Sequence, residues 1–256
     1  MKDFIDRNEY EVLNPLYVEE YQLQINNLWK EVIRLNSLIF ILEKIKDFPF
    51  NPLLSYNERG PFWPLVVDIF FRESILITYR IVVDSEPEAQ TLPKLKNNIV
   101  RNICDDDYRL YFRQELGKLN FEKSIKEIKK RIENLRNTRL AHLSNKNFSE
   151  KIEEKMRNSY VRLNEVIELR DKINEFFSIL SLGVDRGLLH PSYSISNNPN
   201  NQCDIDKILY LLAKNSHVLN MPEAQPEYWL YFRKSLDTEH LEKINNSRKK
   251  LGLPKA

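Results

Sequence analysis

The stretch Lys123–Leu143, "KSIKEIKKRIENLRNTRLAHL", decides how this chain is read. At about 100° per residue, Ile125, Ile128, Ile132 and Leu135 fall on one narrow arc, the mark of a helix that lays a single stripe on a core. Carried two turns further, the same arc meets cations. Arg139 falls near its centre, Arg136 and His142 lie roughly 60° to either side, and Leu143 returns it to an apolar residue. Lys123 to His142 holds seven Lys or Arg against two Glu, the most basic stretch in the chain. Burying unpaired cations on such a stripe is costly, and three readings stand side by side. The helix ends or turns outward, its arginines snorkelling and His142 sitting at a C-terminus that favours a cation. Alternatively, the cations meet acids such as Glu73 or Asp68 on another helix. In the third reading they form an anion site, two arginines gripping a phosphate while a histidine of pKa about 6.5 moves protons.

The surroundings of that stretch predict an all-α fold. Five glycines in 256 residues leave little material for hairpin turns or phosphate-cradling loops, which removes Rossmann and P-loop readings. With 42% hydrophobic and 30% charged residues the chain can bury one sizeable core or two smaller ones. The net charge of +2 names no partner by itself. Cys104 and Cys203 are far apart and match no metal-ligand spacing, as expected of reduced thiols in a cytoplasmic protein. The opening "MKDFIDRNEYEV" has no apolar leader region, and no segment approaches about 18 uncharged apolar residues, so neither secretion nor membrane insertion is expected.

Periodicity places a long helix over Val18–Lys46 and a second over Phe62–Asp84, apolar almost all round and therefore expected at the centre of the bundle. Thr91 is an N-cap for a short helix reaching Cys104, with Pro93 in its first turn. Asp105, Asp106 and Asp107 open the next element, where three acids suit the helix dipole better than a metal. Helix continues over Tyr108–Leu143, weakened at Gly117–Asn120. A last long helix, Ser149–Leu182, has Met156, Tyr160, Leu163, Ile173 and Phe176 at core spacing. "SLGVDRGLLHPSYSISNNPNNQCD" is the clearest boundary. The expected division is a helical bundle over residues 1–182, a linker over 183–202 and a C-terminal helical appendage over 203–256, too small for a core of its own. In its "PEYWLYFRK", Trp229 and Tyr231 are expected to pack against the bundle rather than stack on RNA.

The order of residues in "RNTRLAH" adds a resemblance. Arg136 is followed at once by the polar Asn137 and, after five intervening residues, by His142, which resembles the Arg-to-His signature of HEPN proteins, the higher eukaryotes and prokaryotes nucleotide-binding superfamily. A second basic residue and the Ala before His are most similar to its abortive-infection (AbiU-type) branch, as are "FFRES" and "DSEPEAQTLPKL" upstream. The resemblance covers about residues 15–182. It implies a four- to five-helix bundle that dimerises, each subunit giving its Arg and His to a shared cleft, and a metal-independent endoribonuclease used as a toxin or antiviral effector. Arg136 and His142 match the catalytic pair, and Asn137 the polar residue after the arginine. Arg139 is an extra cation that would help bind phosphate, and Arg72 and Glu73 are either an internal ion pair or a shell that orients Arg136 or His142. RNA is the implied substrate, with no cofactor or metal, and a cognate antitoxin or regulatory protein is the implied partner. Leu140 stands where some members have a tyrosine that is modified to silence them, so silencing by that route is not expected. The alternative within the family is a non-catalytic helical protein that binds nucleotide or a protein partner.

Overall fold

Several helix starts in the described residues are set by short polar side chains, and the first long helix shows how. The structure, a computed structural model, describes residues 7–47, 62–136, 160–188, 204–214 and 217–256. A short helix α1, Glu9–Val12, leads to Asn14, whose Oδ1 accepts the Leu16 N–H at 3.0 Å ahead of α2, Pro15–Asp47. Pro15 suits this place because its missing N–H would have no helical partner there. Tyr17, Val18, Tyr21, Ile25, Leu28, Val32 and Leu35 then bury one stripe at three- and four-residue steps. Among the described residues the only extended pairing is an isolated bridge between Leu13 and Ile103.

The second helix, α3 (Phe62–Thr78), continues directly into a π-helical turn, Tyr79–Val83. Its expected all-round burial holds only in its later part: Ser74, Ile75, Ile77, Thr78, Ile81, Val82 and Val83 are buried, whereas Leu65 and Ile69 are 53% and 49% exposed. Helix α4, Leu92–Asn102, starts at Thr91, whose hydroxyl accepts the Lys94 N–H at 3.4 Å. Helix α5, Asp106–Leu119, starts at Asp105, whose Oδ1 accepts the Asp107 and Tyr108 N–H groups at 2.9 and 3.0 Å. Those bonds, the Tyr108 one foremost, together with Arg7, hold the Asp105 carboxyl below its ordinary pKa. The three aspartates are thus a cap and a first turn. Helix α5 ends at Asn120, which takes the left-handed conformation (φ 47°) that asparagine tolerates better than most residues. Gly117, inside the expected weak point, stays helical, and the break falls on Asn120. Helices α6 (Phe121–Ser124) and α7 (Lys126–Leu135) follow.

The helix expected from Ser149 is described only as α8, Leu163–Leu180, and residues 160–162 before it are not helical. The Glu165 carboxylate accepts the Arg162 N–H at 2.8 Å and fixes the start there, a capping arrangement that leaves Tyr160 66% exposed instead of in the core. Met156 lies outside the described residues.

The chain divides into two compact units, Met1–Leu38 with Phe71–His190, and Ile39–Phe70 with Pro191–Ala256. In the first, α8 packs on α4 and α5, and the π turn packs on α7 and α4. Phe121 stacks on Phe176 at 4.2 Å, and the buried Tyr21 hydroxyl donates to the Leu180 carbonyl at 3.0 Å. In the second, Ile45 of α2 meets Ile205 and Leu209 of α9, Asp204–Lys214. Helices α10 (His217–Ala224), α11 (Pro226–Arg233) and α12 (Thr238–Lys250) build a further cluster from Leu219, Met221, Trp229, Phe232 and Ile244. The C-terminal helices therefore have a small core of their own, contrary to expectation, because the partly buried Leu236, Leu241, Leu251 and Ala256 pack around that cluster, and Arg248 bridges them. Its fully buried guanidinium bonds Glu223 and the carbonyls of Leu219 and Pro254. Trp229 packs in that cluster, but Tyr231 is 77% exposed rather than packed.

Candidate functional site

The apolar stripe of α7 is still helical where it reaches its first cation. Ile125 and Ile132 are buried, Ile128 and Leu135 half-buried, and the Arg136 N–H bonds back to the Ile132 carbonyl with φ −58° and ψ −49°. Arg136 thus caps α7 with its own backbone still helical. Its side chain, half-buried, lies with the guanidinium carbon 4.9 Å from the centroid of the Tyr79 ring. A cation over a ring face at that distance is attracted by the ring quadrupole.

Tyr79 owes its position to the π turn that it opens. The Asp84 N–H bonds the Tyr79 carbonyl at 2.9 Å, five residues apart rather than four. Just before it, the buried Thr78 hydroxyl donates to the Ser74 carbonyl at 2.8 Å, a back-bond of the kind that bends helices. The residue after it is anchored ionically: Arg80 reaches Glu31 at 2.7 Å and Glu73 at 3.3 Å, and Arg34 also meets Glu73 at 3.2 Å. Partial desolvation opposes the Arg80 charge, but the bonds to Glu31 and Glu73 outweigh it and hold the guanidinium above its ordinary pKa. Glu73 thus lies among two arginines from its own neighbourhood, and Arg72 is exposed. The geometry brings Arg136 against Tyr79, while the next residue, Arg80, is held by Glu31 and Glu73. Asn137, Arg139 and His142 lie outside the described residues.

Helix α7 is also clipped to the start of α8. Arg131 donates to Glu165 at 2.7 and 3.2 Å and to the Tyr160 carbonyl at 3.0 Å. The Arg131 bond, helped by the Arg162 N–H, holds the Glu165 carboxyl below its ordinary value. One turn beyond this clip, α7 presents Arg136.

Tyr79 has no place among the residues singled out from sequence. The signal available was the run Ile81-Val82-Val83, three consecutive apolar residues that are all buried and that strict 3.6-residue spacing would spread around the helix. Among the described residues no group of three or more His, Cys, Asp or Glu could hold a metal ion, and no helix is long and apolar enough to cross a membrane.

No curated protein and no solved structure matches this chain. A family model does: residues 19–202, a span that includes every candidate from Arg72 to His142, match the HEPN model described as AbiU2. The all-helical architecture of the described residues agrees with that match, and the chain belongs to the AbiU2 family of HEPN proteins, a family related to abortive infection.

Proposed function

We propose that the chain is a metal-independent endoribonuclease of a prokaryotic defence or toxin–antitoxin system, acting on RNA in the cytoplasm as a homodimer. The observation that carries this reading is the family match across the motif, with Arg136 at the C-cap of α7 in helical conformation. In this reading residues 1–182 hold the chemistry, 183–202 are a linker and 203–256 an appendage, and a cognate antitoxin or regulatory protein restrains the activity.

RNA supplies its own nucleophile, the 2′-hydroxyl. A base removes the 2′-OH proton as O2′ bonds to phosphorus, and an acid protonates O5′ as the P–O5′ bond breaks. The products are a 2′,3′-cyclic phosphate and a 5′-hydroxyl. His142 is the proton carrier, and since each chain offers one such histidine, acid and base come from two subunits. Arg136, with Arg139, stabilises the charge that develops on the phosphoryl oxygens, and Asn137 orients His142 or a phosphate oxygen. The test is His142→Ala, which should lower the rate of RNA cleavage by about 10²–10⁴-fold with the helical circular dichroism unchanged. Full cleavage by that variant would overturn His142 as the proton carrier, and a wild type that cleaves no RNA would leave the non-catalytic reading, in which the motif binds nucleotide or a protein partner.

A further inference from the structure

We propose that Tyr79 is a positioning residue for Arg136: its ring is the platform that holds the guanidinium in place for a phosphate, and the π turn exists to put the ring there. The proposal rests on the reading above, in which Arg136 meets the scissile phosphate. Arginine is long and flexible, and a planar ring beneath it restricts the guanidinium before substrate arrives. The ring is also neutral, and a ring face orients a guanidinium through its quadrupole without taking up any of its N–H donors. At 4.9 Å the pair is well inside the range of about 6 Å for attraction.

The platform is itself immobilised. Ile81, Val82 and Val83 are buried immediately after it, Arg80 is held by Glu31 and Glu73, and the whole π turn packs on α7. A π turn is a poorer helix than the one it interrupts and is met mostly as a single turn at functional sites. Here its effect is local and specific. The extra residue changes the register of α3 at Tyr79, directly opposite the end of α7.

Replacing Tyr79 by phenylalanine and then by phenylalanines carrying one, two and three ring fluorines tests this, because fluorine drains the ring face of negative potential with little change of shape. Two readings are taken: cleavage of an RNA oligonucleotide, and affinity for the same oligonucleotide with a 2′-deoxy cleavage site, which lacks the nucleophile. Both readings for Tyr79→Phe, which keeps the ring, are the reference for the series. Successive fluorines should weaken them stepwise to about tenfold overall, with KM rising in step, and the series should be flat in an Arg136→Ala background. A flat series with Arg136 present, or equal losses with and without it, overturns the proposal. Stepwise loss of affinity in a chain that cleaves no RNA would support the platform while removing the nuclease reading, so the two failures are distinguishable.

Discussion

Two arginines in this chain interrupt apolar stripes in the same way and come to different ends. Arg136 follows Ile132 and Leu135 on α7, and Arg248 follows Leu241 and Ile244 on α12, with Leu251 one turn later. Arg248 is fully buried, its charge met by Glu223 at 2.9 Å and its other donors by the Leu219 and Pro254 carbonyls. Arg136 is half-buried on the neutral face of Tyr79. The same sequence pattern thus describes a cation fully enclosed by the fold and one left half-buried. The contacts described for them differ in kind: a carboxylate and two carbonyls take up N–H donors of Arg248, whereas a ring face lies against the guanidinium of Arg136.

The largest expected effect separates the two by activity. Arg136→Ala should lower RNA cleavage by about 10²–10³-fold, the scale for losing one charge-stabilising group in a transition state. Its cost in stability should stay below about 1 kcal/mol, because a half-exposed cation over a ring contributes little more. A loss of stability large enough to explain the lost cleavage would place Arg136 in the same class as Arg248.

Arg248→Met should do the reverse. It removes one partner of a buried pair and strands two carbonyls, a change that costs about 3–5 kcal/mol where both partners are buried and toward the lower end here, since Glu223 is half-exposed. Denaturant unfolding should show the loss in the second unit. Reduced cleavage with an unchanged unfolding midpoint would break the contrast from the other side.

This contrast also shows how far the sequence could be read. Helix starts were legible because the residues that make them are chemically distinctive: Thr91 and Asp105 could do little else where they stand, and both accept the backbone N–H groups expected of caps. The break after α5 was legible to within a few residues but was assigned partly to Gly117, since composition cannot say which of two permissive residues will leave helical space. The place of Arg136 on the helical stripe of α7 was legible because that stripe is long. The Tyr79 ring against it was not, because Tyr79 lies far upstream and a π turn has no composition of its own. In "NNSRKKLG", Arg248 looks like one cation in a solvated run. Only its spacing from Leu241 and Ile244 marks it as the one that faces inward.

The smallest expected effect concerns the clip that holds α7 against α8 just before Arg136. Glu165→Gln keeps an acceptor for the Arg162 N–H, since glutamine serves at that capping position, but loses the charge opposite Arg131. At neutral pH the variant should be less stable by about 0.5–1 kcal/mol, as befits a two-bond pair that is about one-third exposed. The sign of its pH dependence follows from the lowered Glu165 pKa. The stabilisation is present above the ordinary glutamate value of 4.5 and is lost as pH falls through the lower folded value, where the carboxyl takes up its proton. The stability gap between wild type and variant should therefore be constant above about pH 5 and close on acidification. A gap that persists once wild-type Glu165 is protonated would mean that packing, not charge, holds α7 in place. Cleavage by the variant at neutral pH then sharpens the comparison, because Arg136 can be displayed accurately only if the helix beneath it is fixed. A loss of a few fold, with KM rising more than kcat falls, would show that this clip and the Tyr79 platform serve the same cation from two directions.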